Sequence, residues 1–346
     1  MARENKKARL EKRFGKSDRL VDQLFDLPWD SLPALVLGPK IKEMSPEVVR
    51  QLDAASASHR LVHTTAISQA VVVRANNVAE YFFDRHELDW DFSDLPAISP
   101  PFPLMFVEMS RPASMPRYSV FDQWGCLIQT LPPKNLAADF NYDPKKLARD
   151  PYIAGLDPVA DARWGIYAAL IGRIKDKIVG PAAESAMFLA DDGRLISSPV
   201  MALDRHSAVP YDEELTKTLV GMFRVMMHPC ALTLAFMNCK NVVRAAVEPD
   251  RKLNATREKH GLRPFVRYNT INIDPMKTVL RAEGGVETSG LKKALHICRG
   301  HFARYTEEKP LFGKVAGTFW VPPHAKGTYK QGVVKSDYKV AAPNGG

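Results

Sequence analysis

The 346-residue chain lacks several patterns by which common protein classes are recognised. Its four cysteines form no CxxC pair, so they match no standard zinc module and favour reduced thiols over a disulfide framework. Neither GxGxxG nor GxxxxGK[ST] occurs, which argues against the common nucleotide-binding loops. The N-terminal residues MARENKKARLEKRF contain no apolar segment of a secretory signal. These absences together predict a cytoplasmic protein.

An unbroken apolar run long enough to cross a membrane is also lacking. The most apolar stretch, Thr218–Met237, is interrupted by Arg224, His228 and Pro229. It therefore predicts a buried helix that is kinked or restarted at the proline, and no membrane partner. Acidic residues at its start, such as Glu213, suit the positive end of a helix.

The composition is that of an ordinary globular protein, with 45% hydrophobic and 25% charged residues. The net charge of +9 is unevenly distributed. Residues 240–346 contain 20 Lys+Arg against 9 Asp+Glu, and residues 1–14 contain 6 against 2, whereas residues 15–239 contain 22 against 28. This asymmetry predicts an anionic partner, such as nucleic acid or an acidic protein.

The order of patterns predicts an α+β fold. We expect an N-terminal helical region, a central and mostly antiparallel sheet, a long buried helix, and C-terminal strands that join the same sheet. The expected boundaries are a basic arm and short helix over 1–27, one domain over 28–327, and a loose basic tail over 328–346. Within that domain we expect a helical part over 28–90, an antiparallel meander over 91–209, the buried helix over 210–239 and a basic strand region over 240–327.

The helical part begins at Ser45-Pro46-Glu47, which combines an N-cap, a first-turn proline and an acidic residue. Apolar residues then recur at helical spacing as far as Phe82, which predicts one long helix or two consecutive helices. His59 and His63 lie four residues apart and so share a helix face. They could bind a metal, but no third ligand is nearby, and we expect no metal site and no cofactor.

The meander is indicated by β-forming residues in Tyr118–Leu131 and by Asp191-Asp192-Gly193, which is a strong hairpin-turn signal. Residues 132–161 contain several prolines and mixed charge, so we expect a long surface loop there.

The basic last third predicts nucleic-acid binding, which is our first functional hypothesis. Lysines and arginines would hold phosphates, while Tyr305, Phe319, Trp320 and Tyr329 could stack on bases. The expected contact residues are Arg251, Lys252, Arg257, Lys259, Arg263, Arg267, Lys292, Lys293, Trp320 and Lys326.

A second hypothesis is a metal-independent ribonuclease. If Lys292–Tyr305 forms one extended strand, Arg299 and His301 share a face, and a fold-back could bring Trp320 and His324 near them. Two imidazoles can act as acid and base, and arginine can stabilise the phosphorane charge. The candidate catalytic residues are His301, His324, Arg299, Arg304 and Tyr305.

Three alternatives remain open for this stretch. The same side chains could be structural, with Arg299 paired to a carboxylate and Trp320 in the core. A zinc site through His296, Cys298, His301 and His324 is disfavoured, because strand alternation separates His296 and Cys298 from His301. The protein could also be non-catalytic and dock on an acidic host protein.

The last third also resembles a known group of sequences. The block LHICRGHFARYTEEKPLFGKVAGTFW is followed by HAKG and preceded by NCKNV and VRY, and it extends over residues 238–327. It is similar to a block in uncharacterised proteins of bacteriophages and bacteria. The resemblance implies an intracellular protein of phage or bacterial origin, and it implies no activity and no catalytic residue.

Overall fold

The structure is a computed structural model that describes residues 17–33, 45–84, 91–113, 115, 121–141, 152–203, 213–273, 294–298, 301–311, 313–321, 324–326 and 328–333. The chain divides into two compact units, one comprising residues 1–238 and 244–272 and the other comprising 239–243 and 273–346. The single domain predicted over 28–327 includes parts of both units. It stays a prediction, because compactness alone does not show whether two units fold independently.

The first unit contains one mixed sheet with helices before, between and after its strands. The helices are α1 (Leu20–Gln23), α2 (Pro46–Gln69), α3 (Asn76–Asp84), α4 (Pro133–Asp139), α5 (Glu213–Met237) and α6 (Arg251–Lys259), with a 3-10 helix at Phe92–Asp94. The strands are β1 (Trp29–Asp30), β2 (Val71–Arg74), β3 (Leu104–Ser110), β4 (Gln123–Leu131), β5 (Trp164–Ile174), β6 (Lys177–Leu189), β7 (Val200–Ala202), β8 (Val242–Val247) and β9 (Tyr268–Ile273). The first two residues of β8 and the last residue of β9 are assigned to the second unit.

The order of strands in this sheet is β1-β6-β5-β4-β3-β2-β9-β8, and β7 pairs with β6. Strands β3 to β7 pair antiparallel in sequence order, as the meander prediction requires. Strand β2 is parallel to both β3 and β9, and β1 is parallel to β6. The predicted α+β class with a mostly antiparallel central sheet and a long helix is therefore confirmed.

Helices cover both faces of the sheet, because alternate strand residues point to opposite sides. On one face, Leu127 and Ala169 join a core cluster with Leu20 of α1 and Ile67 of α2. On the other face, α5 packs against β4 and β6, and the Trp124 indole Nε1 donates to the Met226 carbonyl at 3.0 Å. The sheet is therefore buried between two helical layers.

Helix α5 is the predicted buried helix, and it continues through Pro229. By length and composition alone it could cross a membrane, but 72% of its most apolar window is buried inside the protein. That burial is what a core helix shows, so its apolar surface is explained by packing.

Of the single helix or two consecutive helices predicted between Ser45 and Phe82, the structure has two, α2 and α3, but the prediction is wrong for the stretch between them. There the chain forms strand β2 instead of helix. Three consecutive valines, Val71 to Val73, are stiff at χ1 and favour extended backbone. In the sheet between β3 and β9, Val72 and Val73 are buried and Val71 is half-buried.

The short N-terminal helix α1 is attached to the sheet by a buried ion pair. The Arg19 Nε donates to the Glu108 Oε1 at 2.7 Å, and its NH1 donates to the Val266 carbonyl at 2.7 Å. The Val21 amide donates to the other Glu108 oxygen. Burial raises the pKa of the Glu108 carboxyl, and the charge of Arg19 acts in the opposite direction.

The second unit contains β10 (Ala294–Cys298), β11 (His301–Tyr305), β12 (Gly317–Val321), β13 (His324–Lys326) and β14 (Thr328–Val333). Strands β11 and β12 pair antiparallel, and β10 pairs with β13 and β14. The expectation that the C-terminal strands join the central sheet therefore holds for β8 and β9 and is wrong for β10 to β14. These later strands pair with one another, which satisfies their backbone groups locally.

Two further expectations need correction. The tail predicted to be loose from residue 328 begins with β14. The loop predicted over residues 132–161 contains helix α4, whose Leu136 is fully buried against Phe188 of the sheet.

Candidate functional site

The predicted fold-back near His301 is present in the second unit. His301 lies opposite Val321 and Tyr305 lies opposite Gly317 in the β11–β12 ladder. In the β10–β13 ladder, Cys298 lies opposite His324. The two ladders are separate sheets, so His301 and His324 are not paired with each other.

The side chains of β11 do not converge as the ribonuclease hypothesis requires. His301 and Arg304 are both exposed, but they are three residues apart in one strand and so point to opposite faces. Tyr305 is on the face of His301, where its ring packs 5.9 Å from that of Phe319. Arg299 lies outside the described residues. The ribonuclease hypothesis stays a prediction, and this geometry gives it no support.

Trp320 does not offer a ring face to a base. It is 2% exposed, and its ring packs 4.8 Å from that of Phe302. The fully buried Asn241 side chain holds its backbone, because Asn241 Nδ2 donates to the Trp320 carbonyl and Oδ1 accepts from the Trp320 amide. Phe319 is also fully buried. This environment agrees with the alternative in which Trp320 belongs to the core, and it does not support the prediction that Trp320 stacks on bases.

Helix α6 and the segment after it carry most of the predicted phosphate contacts that the structure describes. Arg251, Lys252 and Lys259 are exposed on α6. At 100° per residue the three side chains lie within about a quarter to a third of the helix circumference. Arg267 is also exposed, and its Nε lies 2.9 Å from a carboxylate oxygen of Glu248 in a solvent-exposed pair.

Two predicted phosphate contacts pack on aromatic rings, and one of them, Arg257, is buried. Arg257 is 5% exposed, donates from Nε to the Arg263 carbonyl at 2.9 Å, and stacks over the Phe265 ring. Arg263 lies 3.1 Å from the centroid of the Phe25 ring, and burial lowers its pKa. Lys292 and Lys293 lie outside the described residues. Lys326 is described only by its backbone pairing with His296.

A groove lies beside helix α2 in the first unit, and we call it the α2 groove. Its volume is about 510 Å³, within the range of small-molecule sites. Helix α2 forms one wall, strands β4, β5 and β6 contribute side chains, and Asp139 at the end of α4 completes the lining. The lining residues are Ala55, Ser58, His59, Val62, His63, Ala66, Leu127, Gln129, Leu131, Asp139, Tyr167 and Pro181.

Histidines occupy the sheet-facing stripe of α2 beside this groove. Among the side chains of α2 that the structure describes, the buried ones are Leu52, His59, His63 and Ile67. The His63 Nδ1 lies 2.8 Å from the His59 carbonyl, and because a carbonyl can only accept, Nδ1 carries the proton. The ring centroids of His59 and His63 are 6.0 Å apart.

A tyrosine and a buried glutamate meet at the other side of the groove. The Tyr167 hydroxyl donates to Glu184, which is 2% exposed. The phenol ring is also in contact with Phe140, at 6.4 Å between centroids. The hydroxyl is therefore oriented by its hydrogen bond to Glu184.

No group of three or more His, Cys, Asp or Glu within the described part of the chain could hold a metal ion. His59 and His63 therefore lack a described third ligand. Sequence reasoning had noted the spacing of this pair and missed the groove. The sequence feature that could have indicated the groove is the helical stripe of Leu52, His59, His63 and Ile67, because two of its four positions carry polar side chains.

A second polar cluster surrounds His228 on the opposite face of the sheet. Asp91 accepts from the Tyr152 hydroxyl at 2.6 Å and lies 3.4 Å from Arg224. Burial, with the Asp91 hydrogen bond as a further cause, raises the pKa of Tyr152 to about 12. Burial, followed by repulsion from Arg224, lowers the pKa of His228 to about 4. His228 packs 4.0 Å from Phe92 between ring centroids, so this cluster belongs to the core around α5.

No protein-family model, curated protein or solved structure matches this chain. The resemblance of residues 238–327 to a phage and bacterial group stays a prediction. The function is therefore argued from the residues and their geometry alone.

Proposed function

We propose that this protein binds nucleic acid through its phosphate backbone, using the exposed basic face of α6. The observation that carries this proposal is the exposure of Arg251, Lys252 and Lys259 on one side of a nine-residue helix. Lysine and arginine at such a surface attract phosphates without reading the base sequence.

The internal contacts of α6 support a rigid presentation of this face. Asp250 caps the helix by accepting from the Leu253 amide at 2.8 Å. Asn254 bonds both the amide and the carbonyl of Phe265. The buried Arg257 anchors the opposite side of the helix. The backbone that carries the three exposed cations is therefore held in place before a phosphate binds.

The aromatic residues support backbone binding over base stacking. Phe319 and Trp320 are buried, Tyr305 packs on Phe319, and the Phe265 ring lies under Arg257. Single-strand binding proteins instead stack exposed aromatic rings on the bases. We therefore expect binding that is insensitive to sequence and sensitive to salt, whether the ligand is RNA or DNA.

The test is a salt titration of duplex DNA and structured RNA binding by the full chain. The triple variant Arg251→Gln, Lys252→Gln and Lys259→Gln should lower the slope of log K against log salt by about two to three units. Glu258, also exposed on α6, should oppose binding, so Glu258→Gln should strengthen it.

The control triple is Arg50→Gln, Lys134→Gln and Lys217→Gln, because these exposed residues give the same charge change on other helices. It should leave the salt slope close to that of the wild type. Equal losses in the two triples would show that only net charge matters and would contradict a site on α6. Absence of binding at low salt would contradict the function itself and favour a protein partner.

A further inference from the structure

We propose that the outer face of α2 is a docking surface for a second copy of this chain, on which the two α2 helices lie antiparallel. Leu61 on this face is 70% exposed, which makes it the most exposed large hydrophobic side chain in the described part of the chain. A single exposed leucine is ordinary on a protein surface, but Leu61 adjoins a groove that also contains two opposite charges. The contact does not involve α6, so it is independent of nucleic-acid binding.

This groove lies on the other flank of α2 from the α2 groove, and we call it the Trp29 groove. Its volume is about 410 Å³, which leaves room for a long side chain of another molecule. The Trp29 indole Nε1 donates to the Leu24 carbonyl at 2.8 Å, so this wall is held in place. Pro28 and Trp29 offer apolar surface to the aliphatic part of an arginine. Helix α2 contributes Asp53, Ala57, Arg60 and Leu61 to the lining.

The two charges in the Trp29 groove are complementary to each other. Asp53 and Arg60 are seven residues apart, so they lie on the same side of α2, about 10 Å apart along its axis. Both are exposed, and neither forms an ion pair with another residue that the structure describes. One Arg60 N–H group donates to the Phe25 carbonyl at 2.8 Å, which orients a guanidinium group that carries four further donors.

A two-fold axis that crosses α2 near Ala57 would pair these charges between copies. In an antiparallel pair, Asp53 of each copy then lies opposite Arg60 of the other, so the contact is made twice. The same arrangement places Leu61 of each copy over the exposed Ala54 of the other, and small side chains there let the helices approach. A parallel pair would instead place Asp53 opposite Asp53 and Arg60 opposite Arg60, which is repulsive.

The contact between one pair of helices is small. It buries less surface than the roughly 1,200 Å² of a standard interface, so we expect a weak dimer with a dissociation constant of about 10–100 µM. Sedimentation equilibrium of the full chain, freed of nucleic acid and measured over about two decades of concentration around that range, determines the constant. A monomer at every concentration would overturn the proposal.

Charge reversal tests the pairing directly. Asp53→Arg and Arg60→Asp each place like charges opposite each other, so each variant alone should dimerise about tenfold more weakly. The two variants change the net charge of the chain in opposite directions, so net charge does not explain a loss in both. An equal mixture of the two should associate as tightly as the wild type, because every pair is again of opposite sign. The double variant should regain dimerisation for the same reason. A mixture no tighter than the single variants would overturn the antiparallel contact.

Two matched serine variants locate the surface. Leu61→Ser removes the side chain that packs on the second copy, so dimerisation should weaken about tenfold. Val62 is the next residue and is 60% exposed, but it lies about 100° further around the helix and lines the α2 groove. Val62→Ser should therefore leave the dimerisation constant unchanged. Circular dichroism checks that both variants keep the wild-type fold. Equal effects of the two variants would contradict a contact centred on Leu61.

Discussion

Helices α2 and α5 have nearly the same length and lie on opposite faces of one sheet, but they are buried very differently. Thirteen of the 25 residues of α5 are buried. In the 24-residue α2, the buried side chains among those described are Leu52, His59, His63 and Ile67. Both helices pack on the same sheet, so the difference in burial arises from the side chains of the helices.

This difference separates a helix that stabilises the fold from one that shapes a surface. Helix α5 fills its layer with Phe223, Met226, Leu232 and similar side chains. Helix α2 contacts the sheet through a narrow stripe and leaves grooves along both of its flanks. A helix that packs incompletely leaves room for a ligand, so we expect stability to depend on α5 and binding on α2.

The largest effect on stability should come from Phe223→Ala in α5. Phe223 is fully buried and stacks on Phe121, with 6.1 Å between ring centroids. Removal of the ring should lower the free energy of unfolding by about 3–5 kcal/mol, through lost transfer energy and a residual cavity. Urea denaturation followed by circular dichroism measures this change.

Phe223→Leu is the appropriate control, because it keeps most of the apolar volume and should cost less than the alanine variant. A loss below about 1 kcal/mol for Phe223→Ala would contradict the role of α5 as the core helix.

The histidine in α5 should make stability depend on pH. Its folded pKa of about 4 lies below the ordinary value, so the unfolded chain binds a proton in a range where the folded chain does not. Stability should therefore fall as pH drops from 7 towards 4, by about 3 kcal/mol for this group. Denaturation curves at intervals of half a pH unit measure the slope.

His228→Leu should flatten this part of the pH profile, because the titrating group is removed from its site between Phe82 and Phe92. Leu232→Ala, in the same helix, should shift the whole profile downwards without changing its slope. If the slope of His228→Leu equals that of the wild type, the pH dependence belongs to another group.

Much of the fold could be predicted from sequence because strong local patterns agree with the tertiary structure. The apolar run of α5 and the β-forming residues of the meander are such patterns. Residues 71–74 show the limit, since Val71 fits the helical spacing of the apolar residues around it but forms a strand. The parallel neighbours β3 and β9 decide between them, and these are distant in sequence.

The candidate sites were less predictable, because composition does not reveal which way a side chain points. Arg251 and Arg257 occur in the same basic cluster of the sequence, but Arg251 is exposed and Arg257 is buried. Trp320 is placed in the core by Asn241, 79 residues earlier. The α2 groove needs Asp139 and Tyr167 beside His63, and no local pattern connects these residues.

A moderate effect should follow Tyr167→Phe, which alters the groove without removing the ring. The buried Glu184 would lose its hydroxyl donor, which should cost about 1–3 kcal/mol in the free energy of unfolding. Thermal and urea unfolding measure this loss. A double-mutant cycle with Glu184→Gln measures the interaction energy between the two side chains. If the losses of the two single variants add up in the double variant, the hydrogen bond contributes little to stability.

The smallest effect on stability should come from Val62→Ser, at an exposed position of α2. Its side chain is 60% exposed, and valine and serine have similar helix propensities, so stability should change by less than about 0.5 kcal/mol. The same urea experiment used for Phe223→Ala makes the comparison direct. A loss above 1 kcal/mol would mean that Val62 is covered in solution. In that case both long helices would bury their apolar side chains. The difference would be that the rest of the chain covers α5, whereas another molecule covers α2.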